Sequence, residues 1–222
     1  MRRLDWIKLL RGAATPGLRR TPLDPAFTGD AASISTWIQS FRDSAGNRRR
    51  VDPYFLSHVL RGSLGGPAVP AGLPPLPPAD AARQPWLTWW HALAAAELIE
   101  PCYEQPTGPL YPSLHHEAIE TWTEGELCGL HALAWLALGS TADQARLRAA
   151  AQWLIENIQP DNATGRPWGV HVFAWLGQDD PEADLYAQTL LHNALAGRTE
   201  PDVLSAFILW DAANWLSSPH HQ

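Results

Sequence analysis

Hydrophobic residues recur at intervals of three and four along most of the chain after Pro85, in Ala- and Leu-rich segments bounded by Pro, Gly, Asp or Asn. No stretch alternates apolar and polar residues in the manner of a half-buried strand. The pattern therefore predicts an all-α protein. The predicted helices cover residues 85–100, 114–138, 142–158, 167–177, 181–196 and 201–217.

Two of these helices differ in how much of their circumference is apolar. In 124–138 apolar residues occur on almost every side, which is typical of an inner helix packed on several neighbours. In 142–158 they form a single stripe, opposite a row of polar residues. This second pattern predicts an outer helix with one face in solvent.

The N-terminal part of the chain is interrupted more often. The run GGPAVPAGLPPLPP at 65–78 fixes backbone angles and removes amide donors, so it predicts an extended strap packed across the helical part. Helical spacing at 31–42 and 53–61 predicts two short helices before it. We therefore divide the chain into an irregular N-terminal segment, 1–84, and a helical-hairpin domain, 85–222.

A sequence repeat runs through the second part. The stretch GLHALAWL at 129–136 returns as GVHVFAWL at 169–176, an offset of about 40 residues, which is the length of one helical hairpin. The same offset aligns Trp135, Trp175 and Trp215, and places Asp211 where the earlier copies have His131 and His171. Because one hairpin cannot bury its apolar face alone, the repeat predicts stacked hairpins.

One junction between predicted helices resembles a known group of proteins. The segment AAAQWLIENIQPDNATGRPWG at 149–169 is similar to the hairpin junction of α/α-toroid proteins, the terpenoid cyclases, prenyltransferases and six-hairpin glycosidases. It differs from the usual junction by extra residues between Gln159 and Trp168. The resemblance implies a partial α/α toroid or solenoid, and glycosidases of this architecture use paired carboxylates at the mouth of the ring.

Charge and composition narrow the range of partners. The formal net charge of −7 argues against nucleic-acid binding, which needs clustered Lys and Arg. Asp5 and Lys8 interrupt the N-terminal apolar run, so it lacks a signal-peptide core, and no apolar run approaches the length of a membrane-spanning helix. With only two cysteines, the chain is expected in a reducing compartment, the cytoplasm.

The aligned polar positions offer candidates for chemistry. Buried carboxylates beside neutral histidines can act as general acids and bases, so Glu124, His131, His171 and Asp211 are the candidate catalytic residues. Glu124, Cys128 and His131 also share one helical face, and with His115 or His116 they offer a zinc site as an alternative to a cofactor-free protein. A third interpretation assigns the histidines to packing alone.

The tryptophans suggest a ligand-binding surface. Flat indole faces on inner helices can bind a sugar, an isoprenoid-like chain or a peptide. The candidate ligand-binding residues are Trp90, His91, His115, His116, Trp168 and Trp175. We expect a ligand-binding or scaffolding protein, with a toroid-like acid–base or single-metal enzyme as the alternative. We also expect Glu124, Cys128, His131, Trp168 and His171 to line one shared cavity.

Overall fold

The computed structural model describes residues 1–65, 73–78, 80, 84–103, 105–111, 119–160 and 165–219. These residues contain nine α-helices and no β-strand. The helices are α1 (Arg3–Gly17), α2 (Ala31–Ser40), α3 (Asp52–Leu64), α4 (Trp86–Ala95), α5 (Ile119–Leu136), α6 (Thr141–Asn157), α7 (Val170–Leu176), α8 (Pro181–Leu195) and α9 (Val203–Ser217). The all-α prediction is confirmed.

Side chains at the first residues explain where several helices begin. Asp30, Ser140, Asp180 and Asp202 each accept a hydrogen bond from a backbone N–H of the first turn of α2, α6, α8 and α9. Pro181 occupies the start of α8, where a missing N–H costs nothing. These caps place the helix starts within a few residues of the predicted positions.

Five helices enclose the centre of the molecule. Contacts join α3 to α4, α4 to α5, α5 to α7, α7 to α9 and α9 back to α3. Fully buried aromatic rings fill the space between them, among them Phe55, Trp90, Trp168 and Trp215. Since α3 precedes residue 84 and the other four follow it, both parts of the chain contribute to one core.

Helices α1, α6 and α8 pack outside this group. The buried residues of α6 lie on one stripe that contains Leu147, Ala150 and Leu154, whereas nearly all of α5 between Leu127 and Ala134 is buried. The burial of these two helices thus follows the apolar patterns of their sequences. The described part of the Pro-rich run also contacts the core, since Leu73 and Leu76 pack against it and the Tyr54 hydroxyl donates to the Pro74 carbonyl at 3.2 Å.

Three details differ from the sequence prediction. Helix α1 was not predicted, yet Trp6, Leu10 and Ala14 pack it along α9. Helix α4 ends at Ala95, because Ala96 adopts a left-handed conformation with φ of 57°. Helix α7 begins after Gly169, whose φ of +71° turns the chain into the helix. None of the helices in the described ranges is long and apolar enough to cross a bilayer.

Candidate functional site

His131 is fully buried in α5, and both of its ring nitrogens are hydrogen-bonded. Nδ1 accepts from the backbone N–H of Gly169 at 3.2 Å, and Nε2 lies 3.0 Å from Oδ2 of Asp211. Because a backbone N–H can only donate, Nδ1 is unprotonated, and Nε2 carries the proton and donates it to Asp211. The left-handed conformation of Gly169 aims its N–H at the ring, so this turn fixes the tautomer.

Asp211, in α9, has two oxygens with different surroundings. Oδ2 accepts from His131 and from Nε1 of Trp135, the latter at 2.8 Å. Oδ1 lies 3.8 Å from Nε2 of His58 in α3, too far for a hydrogen bond. Among the residues that the structure describes, no donor reaches Oδ1. Oδ2 therefore already accepts two hydrogen bonds, whereas Oδ1 can accept one from another molecule.

Burial sets the protonation of this group. It lowers the pKa of His58, although Asp211 and a hydrogen bond to the Leu93 backbone oppose the shift, and it lowers the pKa of His131 well below its usual value. Burial also raises the pKa of Asp211, against the opposing effects of His58 and the Trp135 hydrogen bond. Both imidazoles are therefore neutral at neutral pH.

Asp211 lines a cavity of about 620 Å³. We call it the Asp211 cavity, and its walls include His58, Arg61, Trp135, Trp210, Asp211 and Asn214. The Trp210 indole is fixed by donating to Oγ of Ser63 at 3.0 Å. Nε of Arg61 is buried without a hydrogen-bond partner among the described residues. The cavity wall thus carries two tryptophans, a carboxylate and an arginine.

A second, larger cavity of about 900 Å³ lies between the segment 43–51, the first half of α5 and the turn before α7. We call it the arginine cleft; its central residues are Arg49, Glu124, Cys128, Arg166 and Trp168. Arg49 and Arg166 both form ion pairs with Glu124, and Arg166 also pairs with Asp43. This cleft carries more charged side chains than the Asp211 cavity does.

The aromatic core separates the two cavities. Ring centroids of His131 lie 5.4 Å from Trp168, 5.6 Å from Trp90 and 4.1 Å from His171. His171 is fully buried and also packs against Trp215 at 4.8 Å. The two histidines therefore form part of the packing between the cavities.

The expectation of one shared cavity is corrected by this arrangement. Glu124, Cys128 and Trp168 do line the arginine cleft, but His131 and His171 lie beneath it and line neither cavity. Helical spacing puts Glu124, Cys128 and His131 on one side of α5, but it does not show that aromatic rings cover His131. Asp211 was assigned with them and instead reaches the other cavity.

The remaining candidates are scattered. Trp90 is buried in the core and donates to Sγ of Cys128 at 3.2 Å. The ring of His91 packs edge-on against Tyr54, and Arg148 lies over the ring of Trp175 at 3.9 Å. Neither cavity is lined by Trp90, His91 or Trp175. His115 and His116 lie outside the described residues.

The groups proposed for zinc are engaged differently. Within the described ranges, no group of three or more His, Cys, Asp and Glu side chains could hold a metal ion. Burial raises the pKa of the Cys128 thiol to about 12, although the Trp90 hydrogen bond and two arginines favour the thiolate. The nitrogens of His131 are occupied as described above.

Sequence reasoning missed His58. It lies on α3 beside Phe55 and Val59, in a stripe that reads as apolar core, and its partner Asp211 comes from the last helix. A single polar residue inside that stripe was the signal that could have identified it.

Comparison with known proteins gives no match to a family model, a curated protein or a solved structure.

Proposed function

We propose that this protein binds a small organic molecule in the Asp211 cavity. The observation that carries the proposal is the pair formed by Asp211 Oδ1 and His58 Nε2, 3.8 Å apart on a cavity wall that also presents two indoles. Within the part of the chain that the structure describes, Oδ1 accepts no hydrogen bond, so a ligand that donates to it forms a charged hydrogen bond that the protein does not make itself.

The same walls indicate the class of ligand. A protonated amine placed at Oδ1 forms a charged hydrogen bond, and the indole faces of Trp135 and Trp210 attract cations as well as flat apolar groups. The volume of about 620 Å³ is ordinary for a small-molecule site. We therefore favour an amine attached to an aromatic or aliphatic body, with Arg61 available for an acceptor group on the same molecule.

Three probes test this proposal: benzylamine, benzyl alcohol and benzoate. They share a phenyl ring and differ in the polar group that it carries. Ligand-observed NMR competition should rank benzylamine first and benzoate last. Asp211→Asn keeps the shape of the side chain and removes its charge, so it should weaken benzylamine by about tenfold or more. If benzoate binds best and its binding depends on Arg61 instead of Asp211, the proposal is wrong.

A second variant guards against loss of structure in Asp211→Asn. Gly62 lines the cavity, and a Cβ there would meet no atom within 4 Å. Gly62→Phe should therefore block the cavity and abolish benzylamine binding while the protein remains folded. Gly12→Phe, at an equally open position of α1, is the matched control and should bind benzylamine as the wild type does.

Acid–base catalysis in the same cavity is the second candidate function. It is favoured by the neutral His58 next to a carboxylate, since an imidazole of this kind can accept a proton at neutral pH. His58 and Asp211 would carry this chemistry, in place of Glu124, His131 and His171. Turnover of nitrophenyl ester or glycoside substrates that is lost in His58→Gln, with benzylamine as a competitive inhibitor, would favour this function over binding alone.

The scaffold we propose for the site is a set of stacked hairpins, an incomplete α/α toroid, with the Pro-rich run as a strap. Contacts of α5 with α6, of α7 with α8, and of the outer helices α6 and α8 with each other support the stacking. Superposition of the α5–α6 unit on the α7–α8 unit, with Trp135 falling on Trp175, would test it. Units that fail to superpose would make the sequence offset a coincidence.

A further inference from the structure

The arginine cleft is not used by the function proposed above, although it is the larger cavity. Five arginines and three carboxylates line it, so its local charge is positive in a chain whose net charge is −7. Arg48, Arg49 and Arg50 come from one segment, and Arg166 approaches from the turn before α7. Such a concentration of guanidinium groups in a cavity attracts anions.

Two of these arginines converge on one point. Arg49 pairs with Oε1 of Glu124, and Nε of Arg166 lies 3.6 Å from the same oxygen. Burial lowers the pKa of Arg49, and the nearby charge of Arg166 lowers it further. The two guanidinium groups are therefore close together and partly removed from water, which favours an oxyanion between them.

The three carboxylates of the cleft differ in how firmly they are held. Asp43 accepts from the backbone N–H groups of Ala45 and Asn47, and Asp202 caps α9. Glu124 has no backbone donor among the described residues and is held by Arg49 and Arg166. It is thus the carboxylate that can leave its position without breaking a turn or a helix cap.

From this difference we infer that the arginine cleft binds a small organic anion, whose carboxylate or phosphate replaces Glu124 between Arg49 and Arg166. Glu124 acts as an internal occupant that neutralises the two arginines when the ligand is absent. The partly exposed indole of Trp86, on the cleft wall, is placed to contact the body of the ligand. This site is separate from the Asp211 cavity, so either site can fail without the other.

Calorimetric titration with inorganic phosphate and with succinate tests the inference. Arg166→Gln should lower the affinity for the anion at least tenfold, because a bidentate charged partner is lost. Arg166→Lys keeps the charge and should lower the affinity less. Phosphate binding without succinate would identify a phosphate ester as the ligand, and the reverse would identify a carboxylate.

Glu124→Gln gives the sharper test, because it removes the internal competitor. It should tighten binding of the preferred anion about tenfold, whereas a merely structural Glu124 would give no gain. Two controls make the same charge changes away from the cleft: Asp5→Asn and Arg2→Gln, which break an exposed ion pair at the start of α1. Each should change affinity by less than about twofold.

The inference is overturned if Glu124→Gln binds the anion no more tightly than Asp5→Asn does, or if Arg166→Gln binds it as well as Arg2→Gln does. Either result would mean that the anion responds only to net charge. Thermal unfolding of each variant is measured alongside, and Arg166→Lys replaces Arg166→Gln if the latter is unfolded.

Discussion

The imidazole of His131 donates to the carboxylate of Asp211 at 3.0 Å, across 80 residues of sequence and between two inner helices. Because Gly169 donates to the other ring nitrogen, the imidazole is fixed in one tautomer and holds one oxygen of Asp211 in place. The other oxygen then points to His58 and the cavity. His131 is in this arrangement a positioning residue for Asp211.

This arrangement predicts a large cost for removing the imidazole. His131→Leu leaves the Gly169 N–H without its acceptor and Asp211 without one of its two donors, all in the core. We expect the free energy of unfolding to fall by about 3–5 kcal/mol, measured by urea denaturation. His192→Leu, on the exposed side of α8, is the control and should change it by less than about 0.5 kcal/mol. Equal effects of the two variants would contradict the role given to His131.

A second prediction concerns the three aligned tryptophans. Trp215 is almost fully buried and donates to the carbonyl of Ala134 at 2.8 Å, whereas Trp135 and Trp175 are only partly buried. Trp215→Ala should cost about 3–5 kcal/mol of unfolding free energy, and Trp175→Ala should cost less. Chemical denaturation of the two variants measures the difference. A larger loss for Trp175→Ala would show that the aligned positions do not differ in burial as described.

The pH dependence of stability provides a third test, at Glu126. This buried carboxyl group accepts from the backbone N–H groups of Leu110 and Tyr111, and burial raises its pKa from 4.5 to about 7. Between about pH 4.5 and pH 7 the Glu126 carboxyl group is therefore protonated in the folded protein and ionised in the unfolded chain. Its stabilising contribution is complete below about pH 4.5 and is lost as the pH rises through about 7.

Wild type and Glu126→Gln should accordingly diverge with pH. Between about pH 5 and pH 8 the wild type should lose on the order of 3 kcal/mol relative to the variant, whose side chain does not titrate. Urea denaturation across this range measures the change. Glu156→Gln, on the exposed face of α6, should run parallel to the wild type. A wild type that gains stability relative to Glu126→Gln as the pH rises would reverse the predicted sign.

A fourth prediction concerns metal. The His131 nitrogens are both hydrogen-bonded and Cys128 is a buried thiol, so we expect purified protein to carry no stoichiometric zinc by elemental analysis. Added zinc should also leave the thermal unfolding temperature unchanged. One zinc per chain that disappears in His131→Ala would contradict the hydrogen-bonding account and restore the zinc alternative.

The sequence predicted the helices because a 3.6-residue apolar period is visible locally. It predicted the inner character of α5 for the same reason, from the apolar residues around Leu130. Helix α1 carries the same signal, since Trp6, Leu10 and Ala14 recur every fourth residue, yet no helix is predicted there. Local periodicity was thus sufficient to predict where these helices occur, but not where α4 ends or α7 begins.

The site was harder to predict, because it depends on contacts between distant segments. Nothing near His58 indicates that Asp211 will lie beside it, and nothing near Glu124 indicates Arg49 and Arg166 as its partners. Helical spacing places residues on the same side of a helix, but the depth at which they are buried depends on neighbours such as Trp168 and Phe55. For this reason His131 and His171 were expected in a cavity and lie in the core.

The indole N–H signals of the twelve tryptophans test the central claim most directly. In nitrogen-15 spectra recorded with increasing benzylamine, the signals of Trp135 and Trp210, assigned by Trp→Phe variants, should shift in the wild type, and in Asp211→Asn the same shifts should need at least about tenfold more benzylamine. Trp122 and Trp153, which pack against each other away from the cavity, should not shift. Shifts at Trp122 as large as those at Trp135, or shifts in Asp211→Asn at the same benzylamine concentrations as in the wild type, would contradict ligand binding in the Asp211 cavity.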